Sequence, residues 1–243
     1  MIRVALVAIS IVLFLIITLP VYFVLLIVGI KHPMAKAKAS QKVVRAGFRI
    51  ALFFTGGRWT VIGAENVPKD TAVMYAGNHR GFADIAVGYV TVPTVTGFVA
   101  KKEIKKVPVF SWWMKNMNCL FLDRDNMKEG LKTILQGVEY LKQGYSIFIM
   151  PEGTRNKQEG LLPFKEGSFK MAEKAGVPII PVAISNSDAM FEKQFPKVKP
   201  AHVIIHYGEP VYPDRLEKGE KKFLGTKIRG IIEQMLEEDK KLI

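Results

Sequence analysis

From Val4 to Ile30 the chain carries no charged residue, and this run restricts the fold before any other feature does. It is longer than the ~20 residues that a helix needs to cross a bilayer. A secretory signal has an apolar region of only about 7–15 residues and a small-x-small cleavage site after it, and neither fits here. A core helix needs a polar face at helical spacing, and none appears. The run therefore predicts membrane attachment. Pro20 kinks it or divides it into two legs of a shallow hairpin, so both spanning and re-entry stay open.

Lys31, Lys36, Lys38, Lys42, Arg45 and Arg49 follow the run, whereas only Arg3 precedes it. That bias puts the large C-terminal part on the cytoplasmic side of the cell membrane. Between Met34 and Phe54 the basic residues alternate with Val43, Val44, Phe48, Ile50, Leu52 and Phe53. The pattern suits an interfacial helix with its apolar face in lipid and its cations toward anionic headgroups. An ordinary helix packed on the domain is the alternative. The formal net charge of +13 points the same way, to an anionic bilayer. No nucleic-acid motif accompanies the charge. The single Cys119 excludes an internal disulfide and fits a reducing compartment.

Beyond the anchor, apolar runs of strand length alternate with helical patterns. Strands are expected at Arg58–Ile62, Ala72–Ala76, Thr96–Ala100, Cys119–Leu122, Ser146–Met150, Ile179–Ile184 and Ala201–Tyr207. Helices are expected from about Asp84, over Asn126–Lys142 with a stop at Gly144, over Phe169–Ala175 closed by Gly176, and over Leu216–Leu242. The alternation implies an α/β layer fold around a largely parallel or mixed sheet flanked by helices. The chain so divides into a membrane-anchoring segment, residues 1–55, and one catalytic-sized domain, residues 56–243.

The strand Ala72–Ala76 runs into Asn78-His79-Arg80-Gly81-Phe82-Ala83-Asp84. Side chains at such a strand end reach the crevice where open α/β sheets bind ligands. An imidazole there can take a proton from a hydroxyl while a carboxylate fixes its tautomer. Positions five apart on one helix are about 140° out of phase. The pair meets only if His79 sits on the turn and Asp84 just inside the next helix, and Gly81 eases that turn. A surface histidine beside a helix-starting aspartate has the same letters.

Two further strands end in cations. Ser146–Met150 leads into Pro151-Glu152-Gly153-Thr154-Arg155, and Cys119–Leu122 leads into Asp123-Arg124. Guanidinium forks and a threonine hydroxyl suit phosphate oxygens, and together they suggest an anion clamp beside a base. Other candidates fail. His202 and His206 fall four apart on a strand, about 13 Å, too far for one metal. Ser168 and Ser185 lack a nucleophile elbow, no phosphate loop occurs, and Cys119 reads as a buried small hydrophobe.

In this order the segments resemble the 1-acylglycerol-3-phosphate acyltransferases of the glycerolipid acyltransferase superfamily, over about Gly56 to Val211. Asn78–Asp84 is similar to the family's His-x4-Asp block. Asn118–Arg124 is similar to its Gly-x-x-Phe-Ile-Asp-Arg block, with Asn118 in place of glycine, a residue that also tolerates a left-handed backbone. Met150–Arg155 is similar to Phe-Pro-Glu-Gly-Thr-Arg, with Met150 in place of the aromatic, and Val177–Val182 to the apolar fourth block.

The resemblance implies His79 as general base oriented by Asp84, acting on the sn-2 hydroxyl of lysophosphatidic acid. Arg124, Glu152, Gly153, Thr154 and Arg155 would hold the phosphate, with Lys101, Lys102 and Lys105 as further candidates. Acyl-CoA or acyl-acyl carrier protein would be the donor substrate, with no cofactor and no metal. Val177–Val182 would form strand and acyl-tunnel wall. A relative acting on glycerol 3-phosphate or another lysophospholipid is the nearer alternative, and a non-catalytic binder of anionic membrane the distant one.

Overall fold

The computed structural model describes residues 1–243. Three helices open the chain, α1 (Ile2–Ile17), α2 (Leu19–Lys31) and α3 (Pro33–Thr55). No single helix is long and apolar enough to cross a membrane, although α1 and α2 together pass as a pair bent by 48°. The bend at Thr18–Pro20 does not reverse the chain. Reversal comes at His32, after which α3 runs back beside both helices. Phe14 of α1 lies against Gly47, and Arg3 Nη1 reaches the carbonyl of Phe54 at 3.5 Å. Of the two readings of Pro20, the kink is what forms; the chain reverses at His32 instead, and the start of α1 ends beside the domain.

The interfacial reading of α3 is corrected. Val44 and Leu52 are buried in the domain core, and Ala37, Val44, Ala51 and Leu52 follow the helical stripe of a packed face. Only Ile50 and Phe53, of the apolar residues expected in lipid, are largely exposed. Buried Gln41 donates to the Thr94 carbonyl at 2.9 Å and accepts the Thr96 N–H at 2.8 Å. Arg45 reaches the carbonyls of Tyr89 and Val92 at 3.1 and 2.6 Å, satisfying the end of the next helix.

The remaining chain alternates strands and helices: β1 (Arg58–Ile62), β2 (Met74–Gly77), α4 (Phe82–Thr91), β3 (Thr96–Lys101), α5 (Phe110–Asn116), β4 (Leu120–Leu122), α6 (Met127–Lys142), β5 (Ser146–Ile149), α7 (Lys170–Ala175), β6 (Ile179–Ser185), β7 (His202–Tyr207), α8 (Lys218–Lys222) and α9 (Leu224–Asp239). They build one mixed sheet of seven strands in the order β1-β7-β6-β2-β5-β3-β4. Only β6 and β7 pair antiparallel. Side chains alternate across it. Tyr75 and Phe148 pack toward α3, α4 and α5, whereas Met74 and Ile147 pack toward α6, α7 and α9.

Two departures from the expected elements have local reasons. The C-terminal helix breaks at Phe223 because Glu166 takes the new N-terminus, accepting the N–H groups of Gly225 and Thr226 at 2.7 and 3.1 Å. The helix α5, seven residues long, is too short to carry a periodic signature. Of Val177–Val182, the stretch from Ile179 on is strand β6, but it lies in the middle of the sheet between β2 and β7, and none of the six residues lines the large cavity described below. The tunnel-wall reading of that block is therefore dropped.

Candidate active site

The neighbouring strands β2, β5, β3 and β4 all run parallel, so their carboxyl ends meet on one edge of the sheet. That single fact gathers the segments after each strand: His79 after β2, Gly153–Arg155 after β5, Lys101 ending β3, and Arg124 after β4.

His79 Nδ1 lies 2.8 Å from Asp84 Oδ2, with the histidine on the turn and Asp84 in the first turn of α4. The same carboxylate oxygen accepts the N–H groups of Arg80 and Gly81, each at 2.8 Å. Asp84 is fully buried, so its charge is balanced by helix-terminal N–H groups and by the imidazole. A proton on Nδ1 facing this carboxylate leaves Nε2 with its lone pair. Gly81 has a φ of −152°, ordinary extended backbone, so conformational freedom is not why a glycine stands there.

His79 lines a cavity of about 940 Å³, within the size range of small-molecule sites. Its walls are mostly apolar and draw on α1 and α3 as well as on the sheet domain, including Val7, Phe14, Phe48, Phe98 and Trp113. Lys101, Arg124, Gly153, Thr154 and Arg155 line it too. Asn118 and Gly153, with φ of +57° and +74°, take the left-handed conformations that set the two arginine loops. Burial pushes the Arg124 guanidinium below its ordinary value, with Glu103 and Asp125 opposing the shift.

Three candidates do not join the cavity. Glu152 is buried, and its two carboxylate oxygens accept the N–H groups of His79 at 2.7 Å and Leu162 at 3.0 Å. A carboxylate so engaged repels phosphate and instead bolts the arginine loop to the histidine turn. Burial raises its pKa against those two hydrogen bonds. Lys102 is committed to Asp123 at 2.9 Å. Lys105 lines a separate groove with Lys115 and Lys132, because the 3-10 turn after β3 points it away. Two participants carried no sequence signal: Lys165, whose side chain would meet a Cβ at Gly153, and Glu192, 3.2 Å from Arg155. Buried Cys119 behaves as expected of an inert thiol.

Fold and site together define an acyl-transferring enzyme of the histidine–aspartate kind. The sequence matches the family profile described as Acyltransferase across residues 58–185. It is 32% identical over 182 residues to a 1-acyl-sn-glycerol-3-phosphate acyltransferase of Saccharomyces cerevisiae, covering 73% of this chain and 59% of that one. It is 31% identical over 195 residues to the enzyme of that name from Borreliella burgdorferi, covering 80% and 78%. The one from Escherichia coli is 35% identical over 170 residues, covering 68% and 67%. The crystal structure of the 1-acyl-sn-glycerophosphate (LPA) acyltransferase PlsC from Thermotoga maritima superposes with a TM-score of 0.75 at 26% identity, over 99% of this chain and 98% of that one. The chain belongs to the acyltransferase family of these 1-acyl-sn-glycerol-3-phosphate acyltransferases.

Proposed function

We propose that the chain transfers an acyl group from a thioester to the sn-2 hydroxyl of 1-acylglycerol 3-phosphate, making phosphatidic acid for phospholipid synthesis. The observation that carries this reading is the imidazole of His79, backed by buried Asp84 at 2.8 Å and lining a largely apolar cavity. His79 Nε2 takes the hydroxyl proton as the oxygen attacks the thioester carbonyl. The new C–O bond forms, the C–S bond breaks, and the thiolate leaving group recovers the proton from the imidazolium. Asp84 holds the Nδ1 proton and steadies the cationic ring.

Arg155, Arg124, Thr154, the Gly153 loop and Lys101 hold the phosphate monoester, and Glu152 fixes the loop that carries two of them. The apolar cavity takes an acyl chain. Residues 1–55 serve membrane association and residues 56–243 catalysis, with α3 packed against both. The α1 helix, about 24 Å long, is shorter than a ~30 Å hydrocarbon core. Arg3 beside Phe54 favours a hairpin that dips into an anionic leaflet of the cell membrane from the cytoplasmic face. The exposed Ile2, Ile9, Ile16, Phe23 and Ile27 then meet lipid.

Purified protein given lysophosphatidic acid, glycerol 3-phosphate or lysophosphatidylcholine, each with acyl-CoA or acyl carrier protein donors, tests the assignment. Phosphatidic acid formed from the first acceptor alone is the expected product. Preference for another acceptor overturns it.

A further inference from the structure

Glu192 lies in a 3-10 turn (Glu192–Gln194) between β6 and β7, outside every motif, yet its carboxylate pairs with Arg155 of the site. Its Oε1 accepts the N–H of Phe82 at 2.8 Å and Arg155 Nη1 at 3.2 Å. Phe82 opens α4, so the carboxylate takes one of the unsatisfied donors of the helix that carries Asp84. The Arg155 guanidinium also lies over the Phe82 ring, 4.2 Å from its centroid. Arg155 is thereby held from two sides.

The fit is built rather than incidental. Glu192 Oε2 is buried without a partner, pressed toward Gly81, where a Cβ would stand 2.5 Å from it. Glycine at that position leaves room for this carboxylate. A solvated ion pair on the rim needs neither a buried oxygen nor a glycine facing it. Of the five guanidinium N–H donors, Glu192 takes one edge, and Arg155 keeps the rest for the cavity that it lines.

We infer that Glu192 is a positioning residue that sets acceptor affinity by holding Arg155 flat against Phe82. This rests on the reading of Arg155 as a phosphate ligand. Steady-state kinetics on the full chain with Glu192→Ala, Glu192→Gln, Arg155→Ala and the Glu192→Ala/Arg155→Ala double variant test it. Glu192→Ala is expected to raise the acceptor KM about tenfold, a coupling typical of residues in contact, while the donor KM stays within about twofold. Glu192→Gln, whose amide oxygen still accepts from Phe82 and Arg155, recovers most of the loss. In the Arg155→Ala background, Glu192→Ala adds less than about twofold.

Independent, multiplying effects of the two substitutions overturn the inference alone, as does an equal rise in both KM values. An Arg155→Ala variant with unchanged acceptor KM overturns the phosphate reading and the inference with it. Should Glu192→Ala fail to fold, Glu192→Asp carries the test: one methylene shorter, it draws Arg155 off the ring, and an unchanged acceptor KM overturns the inference.

Discussion

Asp84 Oδ2 stands 2.8 Å from His79 Nδ1 and accepts the N–H groups of Arg80 and Gly81 at the same distance. One oxygen thus orients the imidazole and closes the turn that carries it. The two halves of the pair should separate when mutated. His79→Ala is expected to lower kcat by about 10²–10⁴-fold, with unfolding free energy changed by less than about 1 kcal/mol. Asp84→Ala should remove activity and also destabilise by about 1–3 kcal/mol for each N–H left without a partner. Turnover assays beside denaturant titrations check this. A stable, inactive Asp84→Ala protein would contradict the dual role.

Glu152 makes a prediction about pH. Burial raises its folded pKa above the ordinary glutamate value of 4.5, so the native state binds the proton more tightly than the unfolded chain. The stability tied to that proton is fully present below about 4.5 and is lost as pH rises through the raised folded value. Glu152→Gln cannot titrate. The stability margin of wild type over Glu152→Gln should therefore shrink as pH climbs from 4 toward 7, read from urea midpoints at each pH. Because Gln turns an N–H₂ toward one of the two N–H donors, the variant also misplaces the histidine turn, and kcat should fall.

Much of this architecture is legible locally. The strands from Arg58 to Tyr207 announce themselves as short apolar runs, and Gly144 and Gly176, with φ of +89° and +69°, stop their helices. Sheet order is not local. Nothing in the letters says that β2 and β4 lie three places apart with β5 and β3 between them, which decides which loops share a cavity. Lys105 illustrates the cost, since a cation near a motif in sequence turns away in space. Glu192 illustrates the converse. The apolar stripe of α3 was ambiguous because lipid and a protein core select the same side chains. Gln41, buried, and Arg45, half-buried, resolve it, each hydrogen-bonded to groups of the catalytic domain.

Arg124 lines the cavity from the outermost strand loop. Adjacent strands are about 4.8 Å apart, and β4 lies three places from β2 whereas β5 adjoins it, so the Arg124 loop leaves the sheet farther from the His79 strand than the Arg155 loop does. Its guanidinium makes no ion pair within the chain and is free for an anion. Arg124→Ala should raise the acceptor KM about tenfold or more, the worth of a charge-assisted hydrogen bond, and leave the donor KM nearly unchanged. Equal changes in both would show that Arg124 orders the loop and binds no phosphate.

Cys119 is buried next to the Tyr89 hydroxyl, 3.0 Å away, and burial pushes its thiol up to about 11. Since the thiolate is the reactive form, iodoacetamide at pH 8 should leave the native protein unlabelled over hours. Complete labelling is expected once the chain is unfolded in guanidinium. Mass spectrometry of the intact protein reads the result. Rapid native labelling would mean that the helical layer over β4 opens.

Ala86 on α4 faces the cavity together with Phe14 and Phe48, so its small side chain helps set the room available to an acyl chain. Ala86→Phe places a ring in that space. If the cavity binds the transferred chain, each methylene shut out costs about 0.8 kcal/mol of burial, close to fourfold in kcat/KM. Competition among acyl donors of graded length should therefore show the variant's optimum moved to shorter chains, with turnover of the shortest donor held within about threefold. An unchanged length profile would place the donor chain elsewhere. A uniform loss at every length would instead point to disturbance of His79, which lies on the turn that leads into α4.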